Sequence, residues 1–258
     1  MDIKILVASH KQCDMPNDDI YLPMHVGKSL HPEIELGYQP DNEGENISLK
    51  NPYYSELTAV YWAWKNCEAD YIGLVHYRRH FCLKGKKDDF SSILNSDEAA
   101  YLCSKSDMIL PKRRNLYIET VYSHYDHTFT GDHFDKTRKI IEECYPEYLI
   151  AFDKQMKSKS EHLFNMFIMK RELFNAYCEW MFPILGELEK AYQLSNMDSF
   201  QARLIGRISE RLLDVWINKN GIKYIEVDYI YFGKRNMHKK ILGFIMAKFF
   251  RKKYVKSF

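Results

Sequence analysis

The side chains best suited to chemistry come in three basic clusters, each directly after an apolar run. Residues 3–9 lead into His10-Lys11-Gln12, residues 71–75 into His76-Tyr77-Arg78-Arg79-His80, and residues 107–111 end on a proline followed by Lys112-Arg113-Arg114. Short β-branched and apolar runs of this kind mark strands buried on both faces. In open α/β sheets the ligand binds beyond the carboxyl ends of the strands. Three such ends would form a cationic rim, and a nucleotide diphosphate is the small ligand that most needs one. Arginine suits it best, because the planar guanidinium matches phosphate oxygens two at a time. Basic side chains after strands also occur as plain solvated loop charges, a reading that fits Lys112-Arg113-Arg114 better than two arginines set between two histidines.

Five carboxylates are candidates to move a proton or to stabilise positive charge: Asp41, Glu56, Asp132, Asp135 and Glu210. Glu56 opens a helix, where an acid also complements the dipole. Glu210 lies between Arg207 and Arg211, where a structural ion pair competes with any catalytic use. Other chemistries lack their signatures. The chain carries no phosphate-binding G-x-x-x-x-G-K-[ST] loop, no G-x-G-x-x-G turn, no serine-hydrolase elbow and no H-E-x-x-H zinc motif.

The elements that must position these groups follow from periodicity. Residues 37–55 are dense in Gly, Pro, Asn and Ser and read as a long polar loop. Ser55 stands where a helix cap belongs, before a helix over 56–66. Further helices are expected over 132–151, 171–192 and 201–218, with strands over 164–169 and 223–231. Alternating strands and helices argue for an α/β fold, a mostly parallel central sheet with helices on both faces.

With 258 residues and 46% hydrophobic content, the chain suits one large domain. The net charge of +2 gives no support to broad nucleic-acid binding. Six scattered cysteines without C-x-x-C spacing read as free thiols of a reducing compartment. The first residues are too short an apolar run for a signal peptide, and no stretch reaches the ~18 apolar residues that span a bilayer. The expectation is a cytoplasmic protein that meets membranes only from the surface.

Five ordered segments are more specific than any of these features. They are Asp41 through Ser48, Asn51 through Asn66, Ile72-Gly73-Leu74-Val75-His76-Tyr77-Arg78-Arg79, Asn165-Met166-Phe167-Ile168-Met169, and Arg203 through Leu213. Together they closely resemble a bacterial family of capsular and exopolysaccharide gene clusters, long carried as a domain of unknown function and regarded as glycosyltransferases. The resemblance covers roughly residues 3–230.

It implies a single Rossmann-like domain of the GT-A type and transfer from a nucleotide-sugar donor, with a uridine nucleotide as first expectation. It further implies that Ala8, Ser9 and His10 contact base and ribose, and that Asp41, Asn46, Asn51, Glu56, His76, Tyr77, Arg78 and Arg79 surround the donor. Asn165, Met166 and Arg203 would face the sugar or acceptor. Asp132 is the first choice for acid or base and Glu210 the second. Many such folds hold Mn²⁺ or Mg²⁺ on an Asp-x-Asp motif, but His76-Tyr77-Arg78 occupies that place here. Hard divalent cations prefer carboxylate oxygens, so no metal ligand is assigned, and Arg78 and Arg79 are expected to neutralise the departing diphosphate themselves.

Residues 1–233 would form the transferase domain and 234–258 a separate basic tail. The tail combines Ile241, Leu242, Phe244, Ile245, Phe249 and Phe250 with many Lys and Arg and no acid, a composition suited to an interfacial helix on an anionic leaflet. A lipid-linked glycan acceptor on the inner face of the plasma membrane would account for it. Two other classes fit some of the same residues: a nucleotide- or sugar-binding module without turnover, and a nucleic-acid-binding protein using the arginines and the tail.

Overall fold

The computed structural model describes residues 1–83 and 90–232. The tail over 234–258 and the boundary before it therefore lie outside the described residues. The larger sheet contains β1 (Ile3–Ser9), β2 (Tyr21–His25), β3 (Gln39–Pro40), β4 (Tyr71–His76), β5 (Arg79–Cys82), β6 (Met108–Pro111), β9 (Phe167–Lys170) and β10 (Ile225–Tyr231). A two-stranded ribbon joins β7 (Arg114–Asn115) to β8 (Ser160–Glu161). The helices are α1 (Asn51–Tyr54), α2 (Leu57–Asn66), α3 (Ser96–Lys105), α4 (Val121–Thr128), α5 (Asp132–Cys144), α6 (Leu149–Lys157), α7 (Arg171–Lys190) and α8 (Leu204–Asn220).

β3, β2, β1 and β4 lie side by side in parallel. The other half of the sheet is mixed. β9 runs antiparallel to both β4 and β6, β10 runs parallel to β6, and β5 runs antiparallel to β10. β5 also closes back onto the end of β4 through the pair His76 and Arg79. Only four of the eight pairings are parallel, so the sheet is less parallel than the alternation of elements suggests. The cause is that β5 follows β4 through a two-residue turn, which can return only an antiparallel strand.

Alternation along β1 splits the core in two. Leu6 and Ala8 face a layer drawn from α1, α2 and α4 to α8, while Ile5 and Val7 face the layer that holds α3. The first layer is the thicker. Phe174, Tyr177, Trp180, Met181, Ile184, Leu185 and Leu188 of α7 are buried there beside Leu204, Ile208, Leu212 and Val215 of α8. Each such side chain contributes about 1.5–3 kcal/mol when withdrawn from water, so these two helices anchor the sheet. Local signals set several ends. Asn95 and Glu98 form a reciprocal capping box on α3, and Gly221 closes α8 at φ 61°.

Three expected elements differ. The helix expected over 132–151 stops at Cys144 and resumes as α6, because Pro146 disfavours helical geometry at Tyr145. The strand expected from 164 begins at 167, since Phe164 (φ 75°) and Asn165 (φ 53°) are left-handed. Ser55 does not cap α2. Its backbone (φ 52°) forms the corner between α1 and α2, and its hydroxyl accepts from Arg203 Nε at 3.1 Å. None of the six cysteines forms a disulfide.

Candidate active site

One edge of the sheet collects the carboxyl ends of β1, β2, β4 and β10. Because β5 and β9 are reversed, their amino ends reach the same edge. The strand ends place His10, His25, His76 and Tyr231 there, and the reversed strands add Arg79 and the Phe164-Asn165 corner.

The cations gather around Tyr77, a buried ring in the β4–β5 turn. His76 lies 4.2 Å from its centre, His10 5.9 Å, the Lys11 ammonium 5.2 Å and the Arg78 guanidinium 5.1 Å. The Arg79 guanidinium stacks over Phe164 at 4.2 Å and over Tyr231 at 5.3 Å. Among the described residues neither Arg78 nor Arg79 enters an ion pair, whereas Lys112, Arg113 and Arg211 each do. Burial, followed by Arg79 and Arg78, pushes His76 down to about 3, so the ring is neutral at physiological pH. Its Nδ1 accepts the Arg78 backbone N–H at 3.3 Å, which leaves the proton on Nε2 as a donor. Burial, then Lys11, Arg203 and Arg78, also lowers His10.

Carboxyl groups face this basic set. Glu56, the residue before α2, retains partial exposure, and its carboxyl is raised by burial first and by Glu210 second. Asn165 holds it: the side-chain amide donates to Glu56 Oε1 at 2.8 Å and to the Gly206 carbonyl at 3.3 Å, while Ser209 Oγ donates to Asn165 Oδ1 at 3.0 Å. Asn165 takes the left-handed conformation at modest cost. A side chain on Gly206 would crowd Ser55 Oγ and the Tyr54 carbonyl, both 3.3 Å from an added Cβ, so the glycine permits the close approach of α8 to the Ser55 corner. Glu210 accepts from the Phe164 N–H and from Arg211, both at 3.2 Å. Burial lowers Arg79, and Glu210, Tyr231 and Glu56 oppose that shift. A raised carboxyl thus shares the sheet edge with a neutral imidazole donor and two guanidinium groups that have no carboxylate partner among the described residues, that of Arg78 donating to the Tyr231 hydroxyl at 3.5 Å.

Of the residues expected near a ligand, His10, Glu56, His76, Tyr77, Arg78, Arg79, Asn165, Arg203 and Glu210 are brought together, and Ala8 and Ser9 are buried in β1 just behind them. Others are engaged elsewhere. Asp41 is fully buried and accepts from the backbone N–H groups of Gly27 and Lys28 and from Ser48 Oγ, fastening the polar loop to the end of β2. Asn46 is bound within that loop to Asn42, Gly44 and Ser48. Asn51 donates to the Ser55 carbonyl at 2.9 Å and so supports the corner. Met166 is wholly buried on the α3 side of the sheet.

Asp132 starts α5 and is held by Tyr192 Oη at 2.6 Å and by Lys136, while Asp135 accepts from Tyr122. The third basic cluster is tied down as well. Lys112 pairs with Asp228 at 2.6 Å, and Arg113 with the buried Asp214, so the expected rim is built without them. His25, Phe164 and Tyr231 were not identified from the sequence; the last two are ring platforms for Arg79, and only their place beside strand ends could have marked them.

The sequence itself has a family counterpart. The family profile described as "Domain of unknown function (DUF4422)" matches residues 4–221, most of the chain. The chain belongs to the DUF4422 family. No curated protein shows a significant match. Among solved structures, this DUF4422 chain is similar to the WbbM bifunctional glycosyltransferase in its apo form, with 32% identity and a TM-score of 0.84. The similarity covers 91% of the present chain and 46% of that protein, so the chain spans about half the length of its solved relative.

Among the described residues of the DUF4422 domain, no three His, Cys, Asp or Glu side chains converge so as to hold a metal ion. The end of β4 offers an imidazole whose Nδ1 is engaged and two guanidinium groups, a donor set that does not fit Mn²⁺ or Mg²⁺. No helix among the described residues is long and apolar enough to cross a membrane.

Proposed function

We propose that this DUF4422 domain is a glycosyltransferase that moves a hexosyl group from a nucleotide-sugar donor, a uridine diphosphate sugar first among them, to a glycan acceptor. One observation carries the reading: two arginines with no ion pair among the described residues share a sheet edge with a carboxyl group whose proton affinity is raised. The likeness to a solved glycosyltransferase supports it independently.

In this proposal Arg78, Arg79 and the Nε2–H of His76 bind the diphosphate, and the β1 end with His10 borders the nucleoside. The acceptor hydroxyl oxygen attacks the anomeric carbon. The bond from that carbon to the phosphate oxygen breaks, and its electron pair leaves with the nucleoside diphosphate. Charge that accumulates on the leaving oxygen meets fixed cations, which stabilise it most where water is excluded. The acceptor proton passes to Glu56, whose raised carboxyl makes it a stronger base than an ordinary glutamate. Asn165 orients that carboxylate, and Glu210 keeps its neighbours in place. Asp132, committed to Tyr192 and Lys136, has no step here.

The acceptor is proposed to be lipid-linked and of a surface-polysaccharide pathway, at the inner membrane face. The support is the composition of residues 234–258, nine of them Lys or Arg.

The test is a thermal-shift screen with nucleoside diphosphates and their sugars, followed by turnover of the Glu56→Gln variant. A bound donor raises stability as its concentration exceeds its Kd. Glu56→Gln is expected to keep nucleotide binding and to lose about 10²- to 10⁴-fold in turnover, the range for a positioned base. If no nucleoside diphosphate stabilises the protein, or if Glu56→Gln turns over at the original rate, the reading fails. Donor binding without donor consumption would make the domain a non-catalytic nucleotide-sugar module instead.

A further inference from the structure

One turn before Glu210 on α8, Arg207 rests against two neighbouring phenyl rings, its guanidinium carbon 4.2 Å from the centre of Phe129 and 4.3 Å from that of Phe200, with the two ring centres 5.4 Å apart. Its Nη1 is buried and makes no hydrogen bond among the described residues. Nor does Arg207 enter an ion pair among them, because the neighbouring carboxylate, Glu210, is given to Arg211 at 3.2 Å. Burial, with Arg203 next among the groups that lower it, brings the guanidinium down to about 10. It therefore remains charged at neutral pH, half-buried, with its buried Nη1 short of an acceptor, an arrangement that is costly until an oxygen arrives.

Arg207, Phe129 and Phe200 line a cavity of about 120 Å³, completed by Thr128, Thr130, His133 and Gln201. A water needs about 10–15 Å³ on this scale, so a carboxylate or phosphate fits together with the atoms that carry it. The lining residues include no carboxylate. The Thr130 hydroxyl and the Gln201 amide supply further donors, since the Thr128 hydroxyl already donates to the His124 carbonyl, and the planar fork of an arginine is the group that best matches a two-oxygen anion. Contact with both rings restricts the side chain in advance, so less rotamer freedom remains to be lost on binding.

We propose that this cavity is an oxyanion subsite for the acceptor, which takes the carboxylate of a uronic acid or the phosphate of a phosphorylated sugar against Arg207. The word acceptor rests on the transferase reading above; the anion site does not. Residues three apart on a helix lie about 5–6 Å from each other. An acidic substituent held by Arg207 therefore leaves the rest of its glycan one turn along α8, beside Glu210 and the Asn165–Glu56 pair. The domain would select acidic over neutral acceptors by leaving a half-buried cation unpaired when the anion is missing.

Calorimetric titration of the intact protein with glucuronate, glucose 6-phosphate and glucose tests this. At least one acid is expected to bind and glucose not, and the stronger acid identifies whether carboxylate or phosphate is the natural group. Arg207→Met keeps an unbranched side chain against the rings and is expected to weaken acid binding roughly tenfold or more, the scale of one charge-assisted hydrogen bond. Arg207→Lys, which keeps the charge without the fork, is expected to fall between. Uridine diphosphate affinity, unchanged in both variants, shows that they are folded. The proposal is overturned if neither acid binds more tightly than glucose, or if Arg207→Met binds the acids as the original protein does. Acid binding in a protein that ignores every nucleotide would sink the transferase reading and leave the subsite standing.

Discussion

Replacing Arg79 with methionine separates a ligand-binding arginine from a structural one. In the free protein the guanidinium touches two rings, Phe164 at 4.2 Å and Tyr231 at 5.3 Å, and has no ion pair among the described residues. Losing two cation–π contacts costs about 0.5–1 kcal/mol each. Removing a cation that burial already disfavours offsets part of this. The net change in stability should stay within about 2 kcal/mol, a shift in Tm of about 4–8 °C for a domain of this size. Donor binding loses more. A hydrogen bond to a charged group contributes about 1.5–3 kcal/mol, so loss of a single Arg79–phosphate contact weakens Kd for uridine diphosphate by about ten- to hundredfold. Calorimetric titration at low and at physiological salt, with a melting curve for each protein, measures both quantities. An unchanged Kd in a folded variant would refute the assignment of the diphosphate to this arginine. A collapse of Tm well beyond that range would show that its main task is packing.

Asp214, fully buried, binds Arg113, Gln155 and both the ring and the backbone N–H of His162. Asp214→Ala should cost about 3–5 kcal/mol by stranding those partners, and calorimetry should show a fall in Tm of about 6–20 °C. His80, wholly buried, is pushed from an ordinary 6.5 down to about 4 by burial. The unfolded chain thus takes up this proton first as pH falls, so stability is full above pH 6.5 and is lost from there down to about 4. Between pH 6.5 and 5 the loss is about 2 kcal/mol, and His80→Phe should flatten the urea-denaturation slope over that interval. Because cations other than metals are proposed to hold the diphosphate, transfer is expected to persist in excess EDTA; complete loss that Mn²⁺ restores would contradict it.

The part of this site carried by strand ends was legible in the sequence. β1 and β4 are apolar runs that stop abruptly at histidines, and that contrast survives in one dimension. Glu56 and Asn165 were visible as residues but not as a pair, for 109 positions separate them and nothing local says that they meet. The left-handed corner at Phe164-Asn165 looked like the start of a strand, since its apolar residues fit the alternation while its backbone does not. Lys112-Arg113-Arg114 misled for the opposite reason. Its partners Asp228 and Asp214 are about a hundred residues away, and a charge cluster reads the same whether it is free or paired. The antiparallel half of the sheet went unread because β5 and β9 are four residues each, too short to show a direction.

The reversal of β9 means that the reach of the carboxyl proposed as the base is set by a ladder rather than by a loop. Phe167 to Lys170 pair in register with Leu74 to Tyr71, and Asn165 stands two residues beyond the last rung. A slip of one position would turn every β9 side chain over and carry the amide that steadies Glu56 out of range. Surface loops around this edge can therefore diverge to suit new sugars, while the spacing between base and diphosphate grip stays locked to the strand pairing itself.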